Sequence, residues 1–209
     1  MIFEKHYDLR GKHATLSPSQ PHWLRYSDEQ LYQKYVSSYA QAMGTSLHEL
    51  AETLIANGLK LKKNDELTVL SHLLSDGIPR NVIDMERIYG NLRNYVNDGV
   101  GFKLIPEQIL YYSPYCYGTA DAISFRNNFL RIHDLKTGTA PAKMEQLLAY
   151  AALFCLEYKV KPGEIDVGLC IYQNDGIIHH EPTADDILPV MDCIIQHSRT
   201  LERIHEEGM

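Results

Sequence analysis

Asp134-Leu135-Lys136 carries an acid and an amine two positions apart, which on a β-strand puts both side chains on one face and turns Leu135 to the other. The run Phe129–Lys136 is β-branched and apolar enough to be that strand, and a second such run, Tyr117–Arg126, precedes it across Asn127-Asn128. A two-residue Asn loop signals a type I′ hairpin, because Asn tolerates positive φ. Pairing Arg126 with Phe129 then opposes Phe125 to Leu130, Ile123 to Ile132 and Asp121 to Asp134. Alternation puts Asp121, Asp134 and Lys136 on one face. Two directly opposed acids have Cβ atoms about 5 Å apart and repel each other unless a proton or a cation sits between them. A divalent ion is the natural occupant. Hard oxygen ligands with room for water suit Mg²⁺ or Mn²⁺, and such ions serve phosphodiester hydrolysis by activating water and stabilising the leaving oxygen.

Past the strand, Thr137-Gly138-Thr139 releases the chain into a helix expected over Lys143–Tyr158. Lys143, Gln146 and Tyr150 follow an i, i+3, i+7 stripe on it and look back onto the sheet end. Gln146 and Tyr150 are residue types that hydrogen-bond a phosphate or, equally, pack a helix against a sheet. A local basic track of Lys143 beside the site with Arg126 and Arg131 on the hairpin is the expected contact with DNA phosphates.

Gly118-Thr119-Ala120-Asp121, Asp134-Leu135-Lys136 and Gln146-Leu147-Leu148-Ala149-Tyr150, in that order, resemble the GxxD, (D/E)xK and QxxxY pattern of the PD-(D/E)XK nuclease superfamily, in its RecB-like, lambda-type phage exonuclease branch. Gly44-Thr45-Ser46-Leu47-His48-Glu49 looks like the helical His motif of that branch, and Glu107 fits the Glu common on the strand before GxxD. Ser17-Pro18-Ser19 with Trp23 resembles the opening segment of phage members. The resemblance implies a restriction-endonuclease-like core. In it Asp121, Asp134, the Leu135 carbonyl and Glu107 or His48 hold one or two Mg²⁺ or Mn²⁺ ions, and Lys136 positions and helps deprotonate the attacking water. The implied activity is a Mg²⁺-dependent DNA exonuclease of the phage recombination and repair type. The alternatives are a structure-specific endonuclease of the same fold and a non-catalytic DNA- or protein-binding module. Intact Asp121, Asp134 and Lys136 count against the second. Some relatives carry a four-Cys iron–sulfur cluster, which Cys116, Cys155, Cys170 and Cys193 do not supply, so none is expected. The implied partners are DNA, a single-strand annealing or recombination protein, and further copies of the chain in a ring.

The elements that must position these residues follow from patterning. The chain has 209 residues, 44% hydrophobic and 22% charged, the balance of one soluble domain. Folding at this length removes roughly 70% of the unfolded surface from water, so no disulfide or structural metal is required. Residues 1–100 read as mostly helical, 101–182 as the catalytic sheet and helix, and 183–209 as a C-terminal helix. Ser27 to Gln30 has capping-box form and opens a helix to about Met43, followed by helices over Thr45–Ala56, Glu66–Ser75 and Val82–Asn97. From Lys103 the period becomes 2, giving strands Lys103–Tyr111, Tyr117–Arg126, Phe129–Lys136, Ile165–Tyr172 and Ile177–Glu181. Helix Lys143–Tyr158 lies between the third and fourth, and helix Asp185–Glu206, capped by Thr183, follows the fifth. The expected class is α/β (α+β), a central mixed sheet of about five strands flanked by helices.

The cysteines show no paired spacing, which fits a reducing compartment. Met1–Gly11 has no apolar leader, and the longest apolar run, Leu147–Leu156, is far below the ~18 residues of a membrane span. A cytoplasmic protein, inside a bacterial host if phage-encoded, is the expectation. With 20 basic and 27 acidic residues, a net charge of −7 argues against a nucleic-acid coat protein but not against a nuclease, whose carboxylates serve its metals. His133 and His179-His180 lack a carboxylate constellation and read as structural or surface residues.

Overall fold

A computed structural model describes residues 4–9, 11 and 14–208. The extreme residues of the expected 1–209 domain, Met1 and Met209 among them, lie outside the described residues. The chain runs α1 (Asp28–Ala56), α2 (Glu66–Ser75), α3 (Met85–Phe102), β1 (Ile105–Ser113), β2 (Cys116–Arg126), β3 (Phe129–Leu135), α4 (Glu145–Tyr158), β4 (Asp166–Gln173), β5 (Gly176–His180) and α5 (Ala184–Glu207).

The strands form one open sheet in the order β1-β2-β3-β4-β5. Only β3 and β4 pair in parallel, with α4 as their crossover; the other neighbours are antiparallel. One apolar core, including Leu47, Leu92, Tyr95, Ala122 and Leu135, lies between the sheet and α1–α3. A second, including Ala120, Ile123, Ile132, Leu147 and Ile187, lies between the sheet and α4–α5. This is the mixed α/β architecture the patterning predicts.

Three boundaries differ for identifiable reasons. The break expected at Gly44 does not occur: α1 is one helix, opened by a full capping box at Ser27 and Gln30. A side chain at Gly44 would stand 3.2 Å from Thr137 Oγ1, so this glycine serves close approach to the segment after β3 rather than termination. Helix α3 starts at Met85, behind Asp84, whose carboxylate accepts from the Arg87 amide, while Val82 belongs to a preceding 3₁₀ turn. Helix α4 starts at Glu145, leaving Lys143 in the preceding loop. The capping box at Thr183 and Asp186 opens α5 as expected. No helix among the described residues is long and apolar enough to cross a membrane. All four cysteines are free.

Candidate metal centre

Asn127 and Asn128 adopt φ of 53° and 58°, the left-handed pair a type I′ turn requires. The register they impose runs Arg126↔Phe129, Phe125↔Leu130, Ile123↔Ile132 and Ala122↔His133. There the ladder ends. In place of the next step, the Leu135 amide donates to Asp121 Oδ2 at 3.1 Å. The carboxylate therefore occupies a fork between β2 and β3, close to where the register puts it but not as a simple cross-strand pair.

The fork has a cause in the backbone. On β2, Gly118 faces Tyr150 of α4 and Ala120 packs in the α4-side core, as does Ile123, whereas Ala122 packs in the α1-side core. A step of three from Ala120 to Ile123 means that the alternation slips at Asp121–Ala122. Opposite the slip, between the pairs Pro106↔Ala122 and Gln108↔Ala120, Glu107 has φ of 51°, a left-handed conformation that costs a non-glycine residue energy. The expectation that strict alternation puts Asp121, Asp134 and Lys136 on one face is corrected here. Lys136 meets Gln146 of α4 and Asp134 keeps the parity of Ile132, while Asp121 is turned toward His48 of α1; the charge of Asp134 still reaches Asp121 across the fork.

On the α1 side, His48 Nδ1 lies 3.6 Å from Asp121 Oδ2. One ligand atom each from His48, Glu107 and Asp121 lies within 4.8 Å of the others. On the α4 side, Lys136 Nζ donates to Asp134 Oδ1 at 2.9 Å and to Gln146 Oε1 at 3.0 Å. Asp134 is only 2% exposed, and its Oδ2 is buried without a hydrogen-bond partner. An orphaned carboxylate oxygen is costly unless something cationic faces it.

The proton affinities carry the same imbalance. Burial, then the charge of Asp134, pushes the Asp121 carboxyl well up, against the opposing pull of the Leu135 amide and Lys136. Burial and Asp121 also raise Glu107. His48 is held down, first by burial; Glu107, Asp134 and a main-chain bond at Leu135 work the other way. Imidazole and carboxylates with excess negative potential form a donor set that a divalent cation would satisfy.

The surrounding packing explains why these residue types sit at these spacings. A Cβ at position 118 would meet the Tyr150 ring at 3.1 Å, so the glycine three before Asp121 and the tyrosine four after Gln146 are two halves of one contact. Helix α4 is aimed by the loop that precedes it. The buried side chain of Gln173, at the end of β4, donates to the Gly138 and Ala140 carbonyls at 2.8 Å each and accepts from the Ala142 amide at 3.0 Å. Arg87 of α3 adds a bond to the Thr137 carbonyl at 2.8 Å. Gln173→Leu should cost about 1–3 kcal/mol in chemical denaturation and make the 137–144 segment the first site of limited proteolysis. An unchanged cleavage pattern would mean that the loop holds itself.

Not every expected residue converges. Arg126 is exposed at the hairpin tip, five residues and roughly 17 Å of strand from Asp121. The Arg131 guanidinium lies 4.8 Å from the ring centroid of Phe102 and 4.1 Å from that of Phe129, a cation–π clamp on the α3 side. Lys143 is exposed before α4 and does not begin the stripe that Gln146 and Tyr150 continue. Ser17, Ser19 and Trp23 line a polar pocket with Lys34, where Trp23 Nε1 donates to the Ser17 carbonyl at 2.9 Å. Two residues near the centre escaped the sequence reading. Tyr95 is buried, and its phenol is pushed up by burial and then by Asp121, Asp134 and Glu107. Glu52, one turn beyond His48, is close enough to raise Glu107, and its i, i+4 spacing from His48 was the available signal.

A family model described as "Protein of unknown function (DUF2800)" matches residues 13–173, a span that runs from before α1 to the end of β4. No curated protein and no solved structure matches the chain.

Proposed function

The chain belongs to the DUF2800 family, and we propose that it is a Mg²⁺- or Mn²⁺-dependent deoxyribonuclease hydrolysing phosphodiester bonds, an exonuclease of the phage recombination type. The observation that carries this reading is the forked end of the β2–β3 ladder. There His48, Glu107 and Asp121 gather on one side while Lys136 is fixed between Asp134 and Gln146 on the other.

His48, Glu107, Asp121 and the Leu135 carbonyl would hold the ion, with the free Oδ2 of Asp134 as the adjoining donor. A bound ion supplies Lewis acidity toward a phosphate oxygen and a more acidic water. The chain supplies position and charge. Lys136 cannot swing freely, because both its hydrogen-bond partners are anchored, Asp134 in the sheet and Gln146 in the first turn of α4. A lysine so held orients a water by hydrogen bonding and offsets the charge developing on the phosphate, without searching for geometry. Tyr150, half-buried one turn further on, limits the solvent side and offers a phenol to a phosphate oxygen. Proteins that anneal or recombine single strands are the partners this reading proposes.

Incubating the purified protein with end-labelled linear and closed circular DNA, in Mg²⁺, Mn²⁺ or EDTA, tests the reading. Metal-dependent loss of linear DNA is expected, with the circle spared by an exonuclease. Nicking of the circle would turn the reading to an endonuclease, and inertness in every metal would end it.

A further inference from the structure

Leu110 and Gly118 face α4, so their strand neighbours Ile109, Tyr111, Tyr117 and Thr119 take the opposite face, the one on which α1 presents His48. In the β1–β2 ladder Tyr111 is paired with Tyr117 and Ile109 with Thr119, and the next step of that register opposes Glu107 to Asp121. An unbroken track therefore leads from the two acids to a tyrosine pair four residues away, roughly 13 Å along the strands. The tyrosine rings stack with centroids 6.2 Å apart and planes 27° from parallel. They are solvent-facing, Tyr111 46% and Tyr117 63% exposed, as is Ile109 at 56%.

We propose that Tyr111 and Tyr117, with Ile109 and Thr119, form a base-stacking platform that carries the single-stranded part of the DNA substrate into the metal centre. This rests on the nuclease reading above. Bases within a duplex are already stacked and offer a protein mainly their charged backbone, whereas an unpaired base has two free π-faces for tyrosine. None of the four platform side chains is charged, although Glu157 of α4 accepts from the Tyr111 amide at 2.8 Å, so in a chain of net charge −7 the contact with an unpaired strand is through its bases. At the ~3.4 Å per nucleotide of a stacked strand, the distance to the acids holds about four nucleotides, the lower end of what stacking grooves on other sheets accommodate. The substrate class is thus DNA with an unpaired end.

Fluorescence anisotropy of labelled single-stranded and blunt duplex oligonucleotides in Ca²⁺, for wild type, Tyr117→Ala, Tyr111→Ala and Tyr117→Phe, decides the matter. Each alanine variant should bind single strands about tenfold more weakly, as the loss of one stacked base predicts, with duplex affinity unchanged and the phenylalanine variant restored. Single-strand affinity indifferent to both alanines, or equal losses on duplex, would overturn the platform. A Tyr117→Ala variant that changes the oligomeric mass instead of DNA affinity would assign the face to a second copy and overturn it too. Mn²⁺-dependent cleavage by the same wild-type preparation separates the two claims. Cleavage with indifferent tyrosines fails the platform alone, and no cleavage of any DNA fails the nuclease reading and the platform with it.

Discussion

Asp121→Asn should melt at a higher temperature than wild type in EDTA, gain nothing further from Mn²⁺, and lose nuclease activity by about 10³-fold or more. The reason is a conflict built into the fork. Asp121 is pushed toward its protonated form by burial and by Asp134, which means that the ionised carboxylate is held against its preference when no cation is present. An asparagine keeps the carbonyl oxygen that accepts the Leu135 amide and removes only the charge. Relief of one like-charge contact contributes about 1 kcal/mol, or roughly 2–4 °C for a chain of this length. In wild type the same relief comes from the ion, so Mn²⁺ should raise its melting temperature and leave the variant's unchanged. Losing a ligand that fixes the metal removes several kcal/mol of transition-state stabilisation, hence the activity estimate. Differential scanning fluorimetry across a Mn²⁺ titration, beside the cleavage assay, checks all three parts. A variant less stable than wild type without metal would show that Asp121 is a structural acid.

Why the sequence reached this fork and yet mistook its shape can be traced to particular residues. Asn127-Asn128 made the hairpin legible because a left-handed dipeptide leaves few alternatives, and every pair down to Ala122↔His133 follows from it. The slip at Asp121 was not legible. It depends on Glu107 adopting φ of 51°, and no local pattern in Ile105-Pro106-Glu107-Gln108 announces a strained glutamate. Strict alternation along β2 points Asp121 to the α4 side, away from His48. Gly44 misled in the opposite sense: read as a helix end, it is a point of close approach to Thr137, information that resides in tertiary packing. Periodicity places Lys143 in α4, but the loop tied to Gln173 from β4 holds the chain out of helix until Glu145.

Lys136→Ala should reduce cleavage by about 10²–10⁴-fold while leaving Mn²⁺ affinity within a few-fold of wild type, because the amine acts on water and its contacts are to Asp134 and Gln146, not to the His48 cluster. Isothermal titration of Mn²⁺ separates this from the loss of a ligand. A stability cost accompanies it. Asp134 Oδ1 loses its cation while Oδ2 already has no partner. The Lys136 side chain is 31% exposed, so water screens part of the change and about 1–2 kcal/mol is expected rather than the full cost of a stranded buried charge. Gln146→Ala is the graded control. It frees the amine on one side and should lower turnover about 10- to 100-fold with metal binding intact. Wild-type turnover in Lys136→Ala would remove the lysine from the mechanism.

The hairpin also sets an order of assembly. Asp121 and Asp134 are brought together by a two-residue turn, a contact that forms in about 1–10 μs, whereas His48 must arrive from a helix 73 residues earlier in the chain and β4 must wait for the α4 crossover. The two acids are thus neighbours in the folding chain well before the helical half can offer them an imidazole. During that interval their repulsion works against the nascent hairpin, and divalent cations in the refolding medium would screen it. Refolding of this protein should accordingly accelerate with millimolar Mg²⁺ even where the native state is already saturated, and the acceleration should vanish in Asp121→Asn.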